Sequence, residues 1–314
     1  MRKLIVLAGI AALTLTGLTS CQRQTSDVRI MASFLDMTQP FFVAMRRSAL
    51  DEAHKLGADI MIVDAQSNSA KQTTDVRTAV ATGTQGVIIA PTDVNALTPA
   101  IDYIIDANVP LATVDRRVVN ASKPVPHFGA DNIAGGRLMA QHVLDLFPDG
   151  ARIILLTGSP GSSSEIDRSI GVHEVLDAAG PKYQIVAEQS ANWQRDQGLT
   201  VTQNILTALG SNHPEVIIAQ DDDMAMGAVE ALRLAGLKGV TVIGFNAVPG
   251  ALKLVQSGEM AATVEQSPSR QIRAALDQLV AHIRHGKPLT GAIIKPILIT
   301  RDNLADAERL SEIE

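Results

Sequence analysis

Aromatic residues are scarce in this chain, at 3% of 314 positions, with a single tryptophan. Any ring that falls beside a polar loop therefore stands out as a candidate contact. The sequence holds one cysteine, Cys21, so no disulfide can form within the chain. It lacks a basic surplus: 27 Lys and Arg against 33 Asp and Glu give −6, which argues against a nucleic-acid partner. The one Gly/Ser-rich stretch, Gly158 to Ser164, lacks the Gly-Lys-Ser/Thr ending of a phosphate loop. There is no nucleophile elbow and no zinc-ligand spacing. What is present is an ordinary globular mix, 46% hydrophobic and 19% charged, long enough for two domains.

Residues 1–20 form a separate object. Arg2 and Lys3 precede an almost wholly apolar run from Leu4 to Leu15, too short for a permanent anchor and suited to a secretory signal. Its removal leaves 25 basic residues against the 33 acidic ones, a net of −8. The junction Leu18-Thr19-Ser20-Cys21 resembles the bacterial lipobox, in which the signal is cut before a cysteine that carries lipid. Residues 21–27 then read as a polar tether. The alternative is an accidental cysteine near a conventional cleavage site.

From Val28 onward, short apolar runs alternate with helix-length amphipathic segments. Strands are expected at Val28–Ser33, Asp59–Val63, Gly86–Ala90 and Pro110–Val114, with helices at Pro40–Leu56, Ala70–Thr82 and Val94–Ala107. The rhythm restarts after His127. Strands follow at Arg152–Leu156, Tyr183–Glu188, Val216–Ala219 and Val240–Gly244, with helices at Leu138–Phe147, Ile166–Ala179, Asp196–Leu209 and Met224–Leu234. Continuously apolar strands such as Val87-Ile88-Ile89 are those of buried parallel sheets. Two β-α series imply an α/β protein of two doubly wound, Rossmann-like lobes. Such sheets bind ligands beyond the carboxyl ends of their strands. There the sequence sets Asp115-Arg116, Ser159 to Glu165, Gln220 to Asp223, and Asn246. Groups of both signs on one rim suit a neutral, hydroxyl-rich ligand.

Seven stretches, in order, resemble the type I periplasmic binding proteins, most closely the ribose-binding branch. They are Gln39-Pro40-Phe41-Phe42, Ala90-Pro91-Thr92-Asp93, Val114-Asp115-Arg116, Ala130 to Gly136, Ala219 to Ala228, Ile243-Gly244-Phe245-Asn246, and Ala262 to Gln266. The resemblance spans roughly residues 28 to 300. It implies three crossings between lobes, near Ala130–Asp131, Gln266–Ser267 and Pro296–Ile297. One lobe would then hold 28–130 plus 267–296, the other 131–266 plus 297–314. It further implies a monomeric, periplasmic or cell-surface binding protein of an ABC-type sugar importer, held to the membrane through lipid on Cys21. That protein would pass a monosaccharide or polyol to permease subunits, without cofactor, metal, nucleic acid or catalysis. A periplasmic sensor serving a histidine kinase or chemoreceptor uses the same lobes and stays open as an alternative.

By the same resemblance the ligand contacts are Gln39, Phe41, Phe42, Asp115, Arg116, Arg168, Trp193, Asp221, Asn246 and Gln266. Phe41 and Phe42 would face Trp193 across a sugar ring, while the carboxylates accept from hydroxyls and the guanidinium groups donate. Arg195 is balanced between a ligand contact and an exposed helix residue. Ribose binders usually carry Asn where this chain has Asp221, and Asp where it has Asn246. They also have a segment about two residues shorter at Ser33 to Gln39. These departures point away from ribose itself, toward another pentose, a hexose or a sugar alcohol. Asp222 and Asp223 are expected to cap the following helix rather than hold a metal. Arginines beside the pocket carboxylates are expected to lower their pKa values.

Overall fold

The computed structural model describes residues 28–313. The signal, Cys21 and the tether expected before Val28 lie outside the described residues. The first sheet takes β1 (Arg29–Phe34), β2 (Asp59–Asp64), β3 (Gly86–Ile89), β4 (Leu111–Val114) and β5 (His127–Ala130). The second takes β6 (Ala151–Thr157), β7 (Tyr183–Ser190), β8 (Val216–Ala219), β9 (Thr241–Phe245) and β10 (Ala262–Glu265). Two short strands complete them: β11 (Ala292–Ile294) beside β5, and β12 (Ile297–Thr300) beside β10. Neighbours run β2-β1-β3-β4-β5-β11 and β7-β6-β8-β9-β10-β12, all parallel except β12 against β10. The two sheets thus share one winding order, which reverses beside β1 and beside β6, where doubly wound sheets bind ligands.

The strands are apolar throughout because both faces are covered. On the first sheet Ile88 and Ala90 join one cluster with Met45, Ile272 and Leu276. Val87 and Ile89 point into another, with Val76, Ile101 and Ile104. These side chains come from α1 (Pro40–Leu56) and α9 (Pro268–His285) on one face, and α2 (Ser69–Ala81) and α3 (Thr98–Asp106) on the other. On the second sheet Ile153 and Leu155 meet Met139, Val172 and Leu176 of α4 (Asn132–Leu146) and α5 (Ser163–Ala179). Ile154 and Leu156 meet Ile205, Val229 and Val255 of α6 (Arg195–Leu209), α7 (Asp222–Leu234) and α8 (Pro249–Ser257). Each fully buried aliphatic side chain stabilises the fold by about 1.5–3 kcal/mol.

Most expected elements fall within a residue or two of their observed bounds, and α1 coincides with its expected range. Pro40 opens that helix with its φ already set, and Gly57 ends it at φ 61, its N–H on the His54 carbonyl. Two starts differ. α3 begins at Thr98 rather than Val94, because Asp93 Oδ1 accepts from the Asn95 and Ala96 N–H groups and holds a turn first. α4 begins at Asn132 rather than Leu138, capped by Asp131 accepting from the Ala134 N–H. Its Gly135-Gly136 pair lies inside the helix, and the packing needs it. A Cβ on Gly136 would sit 2.3 Å from the Arg168 carbonyl oxygen, so glycine lets α4 and α5 touch backbone to backbone.

Candidate functional site

The turns after the strands bring one side chain after another to one small cavity. It is lined by Gln39, Phe41, Phe42, Asp115, Arg116, Ser164, Arg168, Trp193, Asp221, Asn246 and Gln266. All ten residues expected from the sequence are there, and Ser164 is the addition. Loops of the two sheets meet around the cavity. The Arg117 N–H donates to Ser163 Oγ at 3.0 Å, and the Val94 N–H to the Gly161 carbonyl at 3.0 Å. The Arg117 guanidinium forks onto Asp167, with Nη2 to Oδ1 at 2.8 Å and Nη1 to Oδ2. Arg195 is exposed and does not line the cavity; its charge acts on Asp223.

Several lining residues sit on backbone that side chains seldom adopt. Asp115 has φ 60, and the Arg116 N–H closes a tight turn onto the Val114 carbonyl at 2.6 Å. Trp193 has φ 64 and Asn246 φ 113. Strain of this kind costs of order 1–3 kcal/mol per residue and persists where surrounding packing fixes it, typically at binding sites. Packing does so here. The Trp193 indole lies against Gly158, where a Cβ would come within 1.8 Å of Cζ2. Phe42 stacks on Phe34 at 6.0 Å and meets Phe41 edge-on at 5.2 Å. The guanidinium groups of Arg116 and Arg168 stand 5.4 and 5.5 Å from the Trp193 ring centre.

The polar groups divide between committed and free atoms. Arg168 donates through Nε to Asn132 Oδ1 at 2.8 Å and through Nη1 to the Gln220 carbonyl. Gln266 Nε2 donates to Asn246 Oδ1 at 2.7 Å, which leaves the Asn246 amide N–H groups as donors. Asp221 Oδ1 accepts from the Met224 N–H at 2.9 Å and caps α7, which leaves Oδ2 as an acceptor. The cap therefore falls to Asp221, not to Asp222 or Asp223. Asp222 instead braces α7 on neighbouring loops, accepting from Thr263 Oγ1 at 2.7 Å and the Val248 N–H at 2.8 Å. Three buried lining atoms make no hydrogen bond within the protein: Trp193 Nε1, Ser164 Oγ, and Arg116 Nε, which stands 3.7 Å from Asp115 Oδ2 as an ion pair. The segment before Gln39 is tied down by Asp36, which accepts from the Thr38 N–H at 2.9 Å and from Ser67 Oγ at 3.0 Å.

Electrostatics correct one expectation. The arginines do lower the carboxylate pKa values, but burial outweighs them. Asp115 is raised by burial against the pull of Arg116 and Arg168. Asp221 is pushed up to about 7, by burial first and then by Asp223. Burial lowers Arg116, and brings Arg168 down to about 10. Loss of water, not neighbouring charge, governs the site in this closed arrangement. Hydroxyl groups that donate to the carboxylates and accept from the guanidinium groups would replace that water.

Two lobes of like winding, meeting over a small cavity with two carboxylates and two guanidinium groups, define a solute-binding protein of the two-lobed kind. The periplasmic binding protein domain matches residues 31–288, and the chain belongs to that family. The ribose import binding protein of Escherichia coli (strain K12) is 34% identical over 272 residues, 86% of this chain and 88% of that one. The structure of the Caulobacter myo-inositol binding protein with myo-inositol shares 51% identity at a TM-score of 0.90, covering 92% of this chain and 98% of that one. A solute-binding protein from Actinobacillus succinogenes with bound D-allose shares 28% identity at 0.83, covering 89% and 99%. Each of these relatives is a binding protein by name. No helix among the described residues is long and apolar enough to cross a membrane.

Proposed function

We propose that this chain is the extracytoplasmic binding component of an ABC-type importer, and that its ligand is a neutral cyclic polyol with myo-inositol the first candidate. The observation that carries the reading is the cavity's set of buried polar atoms that make no hydrogen bond within the protein, beside balanced charges. A ring of hydroxyls both donates and accepts, and offers C–H faces to Phe41, Phe42 and Trp193. Burying about 100 Å² of that surface contributes roughly 2–3 kcal/mol. The 51% identity to the myo-inositol binding protein supports the choice of ring, as does the Asp221 and Asn246 exchange, which alters donor and acceptor roles from those of a ribose site.

Binding proceeds by closure of two lobes, 28–130 with 267–296 and 131–266 with 297–314. Strand membership of the two sheets supports those bounds. The ligand contacts are Gln39, Phe41, Phe42, Asp115, Arg116, Arg168, Trp193, Asp221, Asn246 and Gln266. A ligand that touches both lobes favours the closed form by its differential affinity for it. Cys21 carries lipid after signal removal, and the protein acts as a monomer. A Cys21→Ser form that stays with the membrane fraction contradicts the anchor, and a dimer in size-exclusion chromatography contradicts the monomer.

The test of the ligand class is the melting temperature of the purified protein against inositols, pentoses, hexoses, linear alditols and charged sugars. A ligand at about 100 times its Kd adds about 2.7 kcal/mol, a shift of a few degrees for a chain of this size. A shift with myo-inositol and none with the charged sugars is expected. A shift with charged sugars alone overturns the neutral-ligand reading.

A further inference from the structure

Ser162, Ser163 and Ser164 stand in a row at the start of α5, and their three hydroxyls have three different fates. Ser162 Oγ accepts from the Glu165 N–H at 3.3 Å and caps the helix. Ser163 Oγ accepts from the Arg117 N–H and ties one lobe to the other. Ser164 Oγ has no partner, although the residue is only 2% exposed. A buried hydroxyl without a partner is uncommon, because nothing replaces its lost water. Ser164 lies four residues before Arg168, on the same face of the helix, and both line the cavity.

We infer that Ser164 is a specificity-determining contact, pairing with one ring hydroxyl of the bound polyol. This rests on the neutral-polyol reading of the site. The side chain is short and sits in the first turn of a helix that α4 holds backbone to backbone through Gly136. It therefore reads a hydroxyl at one fixed place and does not follow a displaced one. A ring without a hydroxyl at that carbon leaves Ser164 unpaired on closure, and the site discriminates against it.

The experiment is calorimetric titration of the purified protein and its Ser164→Ala variant with myo-inositol and each of its monodeoxy analogues. For the variant, myo-inositol affinity falls about ten-fold, or about 1.4 kcal/mol. One monodeoxy analogue loses a similar factor on the unaltered protein and little further on the variant. A purely structural serine would weaken every analogue by the same factor, and that result overturns the inference. Equal affinity of variant and parent for myo-inositol also overturns it while leaving the polyol reading intact. Binding of charged sugars alone, with no inositol, pentose, hexose or alditol bound by the unaltered protein, overturns that reading and the inference together. The unliganded melting temperature of the variant stays within about a degree of the parent, because no protein hydrogen bond is lost.

Discussion

Replacing Arg117 by alanine should weaken every ligand of this protein by one common factor, although Arg117 does not line the cavity. Its guanidinium grips Asp167 across the boundary between the lobes, with Arg117 on the turn after β4 and Asp167 on α5. The pair exists only when the lobes meet, so its free energy belongs to the closed form alone. A fully buried charge-assisted fork contributes about 1.5–3 kcal/mol, and a fully exposed pair about 0.2–1. Here the Asp167 side chain is 10% exposed and that of Arg117 41%, which places the pair between those limits, at about 1–2 kcal/mol. Since ligand binding draws on the closed form, Kd should rise about 5- to 30-fold. Calorimetry with myo-inositol and the weaker polyols provides the assay, and Asp167→Asn closes a double-mutant cycle. A change below about two-fold, or one that differs between ligands, refutes the argument that this pair stabilises closure.

Other consequences follow from single contacts. Gly158→Ala drives a methyl group into the Trp193 indole, and the backbone cannot yield because Gln220 Oε1 and Ser190 Oγ hold it on both sides. Thermal melts should show a loss of about 1–3 kcal/mol, with ligand affinity falling about ten-fold or more in parallel titrations. Glu265, at the end of β10, is pushed up to about 7 from an ordinary 4.5, first by burial. Ionising it costs more in the folded chain than in the unfolded one, so its contribution to stability is fullest below about 4.5 and is lost as pH rises to about 7. Melting temperatures across that range should fall with pH, and Glu265→Gln should flatten the slope. Gly136→Ala sets a methyl group against the Arg168 carbonyl and should destabilise the α4–α5 pair by about 1–3 kcal/mol in denaturant unfolding.

The strands were legible because both faces of each sheet are covered, so runs such as Val216–Ala219 are apolar without alternation. Helix starts were legible where the chemistry is local, as at Pro40, and illegible where it is tertiary. Gly135-Gly136 looks like an interruption until the Arg168 backbone is seen against it. No helix is expected beyond Leu234, although Ile272, Ala275, Leu276 and Leu279 carry a clear helical spacing in α9. The cavity-lining residues fall after strand ends, where the fold must bring them together, and ten of the eleven are those that the resemblance implies. Ser164 was hidden by its neighbours. Three consecutive serines look interchangeable, and only the positions of Glu165 and Arg117 reveal which hydroxyl is free. Arg117 was hidden in another way, since its partner lies 50 residues along the chain in the other lobe. The dominance of burial over arginine charge at Asp115 and Asp221 depends on how closely the lobes meet, which no local pattern encodes.

Small-angle scattering of the purified protein, with and without saturating myo-inositol, tests the central claim most directly. Closure of two lobes around the ligand predicts a smaller radius of gyration in its presence, with Arg117→Ala needing more ligand to reach the same contraction. Binding shown by calorimetry with no change in radius would contradict closure as the means of recognition.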